Sequence, residues 1–298
     1  NFRFGAILMT LSTFVFAMQD GISRHLADTY NVYMVVMIRY WFFALFVLAL
    51  AARRLPGGIA AALRPQFPLL QITRGVLLAA EIVVMVTAFT VLGLVESHAV
   101  FTCYPLLVAA LSGPVLGEKV GWRRWTAVTI GFLGALLIIQ PGAGVFDPIA
   151  IVALAGAFAS SFYSILTRLV SRTDPIETSF FYVALVGFAA WAPFGIWKWQ
   201  TPDLYGLGLF AGMTIASLIG HICVIRALTL TEATVLQPFQ YVVLASAMTY
   251  GIVLFNEHLE PLKLFGTGVV VASGLYVAWR EYVLTQRARR AARSALET

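Results

Sequence analysis

Residues 96–142 read ESHAVFTCYPLLVAALSGPVLGEKVGWRRWTAVTIGFLGALLIIQPG, and residues 232–279 read EATVLQPFQYVVLASAMTYGIVLFNEHLEPLKLFGTGVVVASGLYVAW. Each stretch opens on an acidic residue and runs apolar to an aliphatic or aromatic pair, one spacer, a glutamate and a leucine or valine. The two endings are Val115-Leu116-Gly117-Glu118-Lys119-Val120 and Leu254-Phe255-Asn256-Glu257-His258-Leu259. A short polar hinge and a glycine-bearing apolar run follow in both. Weak internal symmetry of this kind is the sequence mark of many transporters.

Composition sets the class. Hydrophobic residues make up 60% of the 298 and charged ones 11%, against roughly 45–50% and 25% in soluble domains. A mean hydropathy of +0.86 spread over the whole length implies many membrane spans. Cys103 and Cys223 both fall inside apolar runs and read as small packing residues. The net charge of +6 is gathered between apolar segments and at the C-terminus, which points to membrane orientation and away from nucleic acid.

Ten apolar segments approach the ~20 residues that cross a bilayer: 5–26, 33–52, 69–92, 97–116, 124–140, 148–169, 177–198, 204–228, 233–255 and 263–282. Breaks such as Pro56-Gly57-Gly58, Pro141-Gly142 and Thr173-Asp174-Pro175 separate them. The first segment carries Gln19, Asp20 and Arg24 and reads as a span, not a cleaved leader. With the N-terminus in the cytoplasm, Arg24, Lys198 and Lys263 fall outside, Arg39 lies within a span, and every other Lys and Arg falls inside. That asymmetry predicts both termini in the cytoplasm of a multi-pass inner-membrane protein.

Five spans per half is an odd number, so the second half should cross upside down relative to the first, with Glu118 inside and Glu257 outside. The expected fold is all-α: ten transmembrane helices as two inverted five-helix repeats, residues 1–142 and 143–283, around a central midplane cavity. Residues 284–298 are expected to form a basic cytoplasmic tail. Ile22–Leu26 and Leu166–Val170 close the first and sixth spans, setting Arg24 against Arg168.

Ten spans, inverted halves and the repeated glutamate-bearing helix end resemble the drug/metabolite transporter superfamily in its EamA-type branch, and within it the bacterial aromatic amino-acid exporters. The resemblance covers essentially the whole chain. It implies export of a small metabolite by alternating access. The second copy departs from the pattern, with Leu244 where a kinking proline would match Pro105 and Asn256 in place of Gly117.

Polar stripes at helical spacing mark the candidate cavity. They include Gln19, Asp20 and Ser23 on the first span, His98 and Thr102 on the fourth, and Ser160, Tyr163 and Ser164 on the sixth. Ser217 and His221 continue them on the eighth, and Gln237, Gln240 and Tyr241 on the ninth. Small hydroxyl residues equally suit helix packing; large polar groups in hydrocarbon need partners, water or a ligand. Glu81 stands mid-span between Ala80 and Ile82, where a carboxylate is either a substrate or proton site or a buried hydrogen-bonding group. Arg39, about 9 Å deep at about 1.5 Å per residue, matches the depth of Asp20, so an Asp20–Arg39 clasp or gate is expected, with His98 nearby. His98 and His221 each stand among apolar neighbours, which argues against metal.

The candidate substrate-binding set is therefore Gln19, Glu81, Phe101, Tyr104, Tyr163, His221, Gln237, Gln240 and Tyr241. Asp20, Arg39 and His98 form the gate. The expected function is a secondary transporter exporting aromatic or broadly amphiphilic amino acids, acting as a monomer in the lipid bilayer. No cofactor, metal or nucleic-acid partner is expected. A proton-coupled multidrug or organic-cation efflux transporter is the alternative. A membrane-embedded enzyme is a third reading, but no GxxxxGK[ST], HExxH or GxSxG sequence is present.

Overall fold

The computed structural model describes residues 2–54, 58–117, 121–139, 148–171, 173–230, 236, 239, 241–258 and 260–297. Among them the chain is helical, in twelve segments. The first six are α1 (Phe2–Thr29), α2 (Val32–Arg54), α3 (Gly58–Ala62), α4 (Pro68–Val91), α5 (Leu94–Phe101) and α6 (Tyr104–Leu116). Then come α7 (Trp122–Ile139), α8 (Pro148–Val170), α9 (Ile176–Trp197), α10 (Leu204–Leu230), α11 (Val242–Phe255) and α12 (Pro261–Glu297). Eight segments are long and apolar enough to cross a membrane, with Leu94–Val115 counted as one. The expected fifth and ninth spans appear as shorter apolar helices, Trp125–Ile138 and Val242–Phe255.

The fourth span starts at Leu94 and, as Pro105 implies, divides at Thr102-Cys103 into α5 and α6. Pro105 lacks an N–H and its ring opposes the carbonyl four residues back, so a continuous helix cannot pass. It sits instead in the first turn of α6, where the missing donor costs nothing. In the second copy, where Leu244 replaces the proline, α11 is described from Val242 with Tyr241 as its N-cap; Gln237, Pro238 and Gln240 lie outside the described residues. The basic stretch from residue 284 is helical to Glu297, continuous with α12, and no Gly or Pro follows Gly274 to end the helix.

The two glutamate-bearing helix ends close alike. Gly117 caps α6 at φ 70 and Asn256 caps α11 at φ 52, both left-handed. Asn256 is the one non-glycine with positive φ among the described residues, and asparagine is the residue that best replaces glycine there.

The four most extensive helix pairings are α1 with α10, α7 with α12, α2 with α9 and α4 with α8. Each joins one helix from before residue 142 to one from after it, so the core lies between the halves. Glycines bring the backbones close. A Cβ on Gly134 of α7 would stand 2.9 Å from the Gly266 carbonyl of α12, and one on Gly266 2.7 Å from the Gly134 carbonyl. Association without a hydrophobic drive depends on such small-residue contacts.

Candidate functional site

The discontinuous fourth span, α1 and α2, and the cross-half pairings α1–α10 and α4–α8 bring the intramembrane polar residues to one interior centre. Gln19 of α1 is fully buried. With its amide assigned from the hydrogen-bond network, its oxygen accepts from Arg39 Nη1 at 2.9 Å and Nη2 at 3.1 Å, and its nitrogen donates to Ser217 Oγ at 3.2 Å. Glu81 of α4 is buried; Arg39 is its nearest opposing charge, Asp20 a like charge, and the Ser160 hydroxyl of α8 meets its carboxyl. A charge there needs partners, and these three helices supply them.

Asp20 and Arg39 do not clasp one another among the described residues, which corrects the expected pair. Successive residues point about 100° apart on a helix, so Gln19 takes Arg39 while Asp20 turns to α5. There His98 Nε2 lies 3.3 Å from Asp20 Oδ2, out of line for a hydrogen bond. The His98 imidazole stacks on Phe89, centroids 5.1 Å apart. His98 is therefore not isolated, and neither is His221, whose Nδ1 lies 2.7 Å from the Ser217 carbonyl. The His221 ring packs on Phe16 and Phe43, with centroids at 5.2 and 5.0 Å. Ser217 thus meets Gln19 through its hydroxyl and His221 through its backbone.

The aromatic candidates divide. Phe101 and Tyr104, across the helix break, pack at 5.1 Å, and the Tyr104 hydroxyl lies within the electrostatic reach of Glu81. Tyr163 faces the Arg74 guanidinium at 5.2 Å. Tyr241 turns its hydroxyl onto α12, where a Cβ on Gly274 could not fit. Gln237 and Gln240 lie outside the described residues.

Sequence reasoning missed Tyr40. It is buried against Gly187, its hydroxyl has no hydrogen-bond partner, and Glu81 and Tyr163 are its charged and polar neighbours. It also missed a buried cluster joining α4 to the α8–α9 turn. Gln71 Nε2 donates to Asp174 Oδ2 at 2.8 Å, Arg74 Nη1 donates to Gln71 Oε1 at 2.6 Å, and Arg74 Nη2 donates to the Ser179 carbonyl at 3.1 Å. An arginine inside an apolar run is the signal that could have found it; it was read only as an orientation charge.

At the other end of α4, Glu257 closes the bundle. Its carboxylate accepts from the backbone N–H groups of Leu94 and Val95, each at 2.8 Å, and pairs with Arg24 of α1. Arg24 also lies 4.1 Å over the Phe255 ring. A carboxylate on two free N–H groups at a helix start meets both their hydrogen-bonding need and the helix dipole. Gly93, at φ 90, and Gly251 leave it room: a Cβ on either would fall 2.6 or 2.7 Å from a carboxylate oxygen. The sequence marks Glu257 by its repeat but not its partners.

The chain matches the EamA-like transporter family over residues 3–140 and again over 147–279. It is 21% identical over 277 residues to the S-adenosylmethionine uptake transporter of Rickettsia prowazekii, covering 93% of each chain. It is 23% identical over 275 residues to the pseudopaline exporter of Pseudomonas aeruginosa, covering 90% of this chain and 94% of that protein. A riboflavin transporter of Vibrio cholerae is 27% identical over 187 residues, 62% of each. One crystal structure superposes with a TM-score of 0.62 at 16% identity, covering 96% of this chain and 98% of that one, which establishes a shared fold.

Proposed function

Because the chain belongs to the EamA-like transporter family, we propose that it is a secondary transporter that exports amino acids and similar amphiphilic zwitterions by alternating access. The observation that carries this reading is the buried centre itself: Arg39, held by Gln19, stands beside the carboxyl of Glu81 with Asp20 near. An α-carboxylate replaces Gln19 on the Arg39 fork, and an ammonium sits between Glu81 and Asp20. Phe101, Tyr104 and Tyr163 then offer apolar wall to a side chain, the usual make-up of a small-molecule site. Among the relatives' compounds, S-adenosylmethionine presents the same ammonium and carboxylate beside a flat ring. Relatives are named for both uptake and export, so outward transport is part of the proposal.

Alternating access rests on two inverted repeats of five spans, residues 1–142 and 143–283, with Trp125–Ile138 and Val242–Phe255 as the fifth and ninth spans and both termini in the cytoplasm. The double family match supports it. So do the helix pairings: exchanging the halves turns α1–α10 into α8–α4 and leaves α2–α9 and α7–α12 unchanged. On that orientation Arg24, Gly93 and Glu257 form the closed outer end. A single protomer contains every part of the site.

Purified protein in liposomes, given labelled phenylalanine, methionine or S-adenosylmethionine with and without a pH gradient, tests the reading. Transport of at least one amino acid is expected, with Arg39→Gln and Glu81→Gln each lowering it at least tenfold, since each strands an intramembrane charge or removes an anchor. A second reading has its own observation: Glu81 has Arg39 as an opposing charge and Asp20 as a like one, a balance that also suits proton-coupled efflux of organic cations. Movement of quaternary cations against a proton gradient, with no amino acid moved at millimolar concentration, would replace the first reading by the second.

A further inference from the structure

Helices α7 and α12 meet closely at Gly134 and Gly266, and a Cβ on Gly131 would stand 3.1 Å from the Ser273 Cβ. A groove of about 410 Å³ lies between the two helices. Its composition changes along its length. Trp122 and Arg123 line it at the first turn of α7, Thr126 and Ala127 one turn on and Ile130 beyond, with Ser273 of α12 near Gly131. Arg123 and Ile130 lie about 10 Å apart along the helix at about 1.5 Å per residue. Trp122 is 73% exposed and Ile130 48%, so the groove opens to whatever surrounds the bundle.

Charge adds a direction. The Arg123 guanidinium lies 5.4 Å over the Trp122 ring, and no carboxylate pairs with it among the described residues. A cation held by an aromatic at the mouth of an apolar groove fits a molecule with an anionic head and an apolar tail. Exposed tryptophan and tyrosine belong at the membrane–water boundary, and basic residues at that depth attract anionic lipid.

We infer that the α7–α12 groove is a binding site for an anionic phospholipid, its phosphate on Arg123 and one acyl chain along Ala127 and Ile130. On the orientation proposed above, this lipid belongs to the cytoplasmic leaflet, the side to which anionic headgroups draw basic segments. A second copy of the chain is disfavoured as occupant, because the same patch would have to supply the anionic group that Arg123 calls for, and the groove lining contains no carboxylate.

Native mass spectrometry of the whole protein, released from detergent with equal phosphatidylglycerol and phosphatidylcholine, tests the site. The protein is expected to keep phosphatidylglycerol preferentially, and Arg123→Gln to lower that retention about fivefold, the effect of one arginine near a membrane surface. Ile130→Trp fills the tail end without changing charge and is expected to lower retention of both lipids. Equal retention of the two lipids by the natural chain overturns the inference, as does unchanged phosphatidylglycerol retention in either variant. So does disulfide-trapped dimer formation through a cysteine at position 130. Because the readout is bound lipid, its failure is separate from any failure of transport.

Discussion

At the residue scale, Glu257 shows how far a sequence signal reaches. Its place after a repeated apolar run marks it, but its partner Arg24 is 233 positions away, and no local pattern joins them. Arg24 and Glu257 keep only 15% and 14% of their side-chain surface exposed. Removing one leaves a buried charge, which typically costs about 3–5 kcal/mol. Glu257→Ala should therefore lower the melting temperature more than Arg24→Ala with Glu257→Ala together, and a double-mutant cycle on purified protein would show the coupling. Gly93→Ala should destabilise through the same carboxylate, because its φ of 90 and its 2.6 Å approach to Glu257 leave no place for a methyl group. Additive losses from Glu257 and Arg24 would mean that the pair contributes nothing to stability. The same distance in sequence hid Asp20's turn toward His98: depth along a helix was legible, azimuth was not.

At the scale of elements, hydropathy located the spans because helix in hydrocarbon must satisfy every backbone group internally. Breaks were legible where proline sat inside a run, as at Pro105; Pro238 in the second copy lies outside the described residues. Helix-to-helix contacts give a sharper test. Gly266 and Gly268 lie on α12 two residues apart, yet a Cβ on Gly266 would meet the Gly134 carbonyl at 2.7 Å while one on Gly268 meets nothing within 4 Å. Gly266→Ala should cost about 1–3 kcal/mol by forcing the helices apart. Gly268→Ala should be neutral or stabilising, since alanine is the better helix former. Equal melting temperatures for the two variants would remove the α7–α12 close approach. At the start of α10, Asp203 accepts from the Gly206 N–H at 2.7 Å and the Tyr30 hydroxyl at 2.9 Å. These bonds hold its carboxyl below the ordinary aspartate value of 3.8. A lowered folded-state value means the contribution is present above the unfolded value and is lost as pH falls through the folded one. Melting of the natural chain should thus fall more steeply below about pH 4 than melting of Asp203→Asn.

At the scale of the molecule, the proposed inversion of the halves follows from counting, because an odd number of spans per repeat leaves no alternative to it once the termini share a side. The centre was less legible: Gln19, Glu81 and Tyr163 could be named from cost in hydrocarbon, whereas Tyr40 gave no signal and Arg74 read as an orientation charge. The inversion also makes the most direct prediction. If the halves cross oppositely, the Gly117 end of α6 faces the cytoplasm and the Asn256 end of α11 faces outward. Both positions close a helix in the left-handed conformation and both are exposed, so access is limited by the membrane and not by burial. With Cys103 and Cys223 replaced by alanine, single cysteines at Gly121 and His258, beside the two helix ends, serve as probes that avoid straining either cap. An impermeant thiol reagent applied to whole cells should label only the cysteine at position 258, and both after lysis. Labelling of both in intact cells, or of position 121 alone, would place the two glutamate-bearing ends on one side or reverse the orientation. Either result would take the alternating-access argument with it, because the outer end closed by Arg24 and Glu257 would no longer be the outer end.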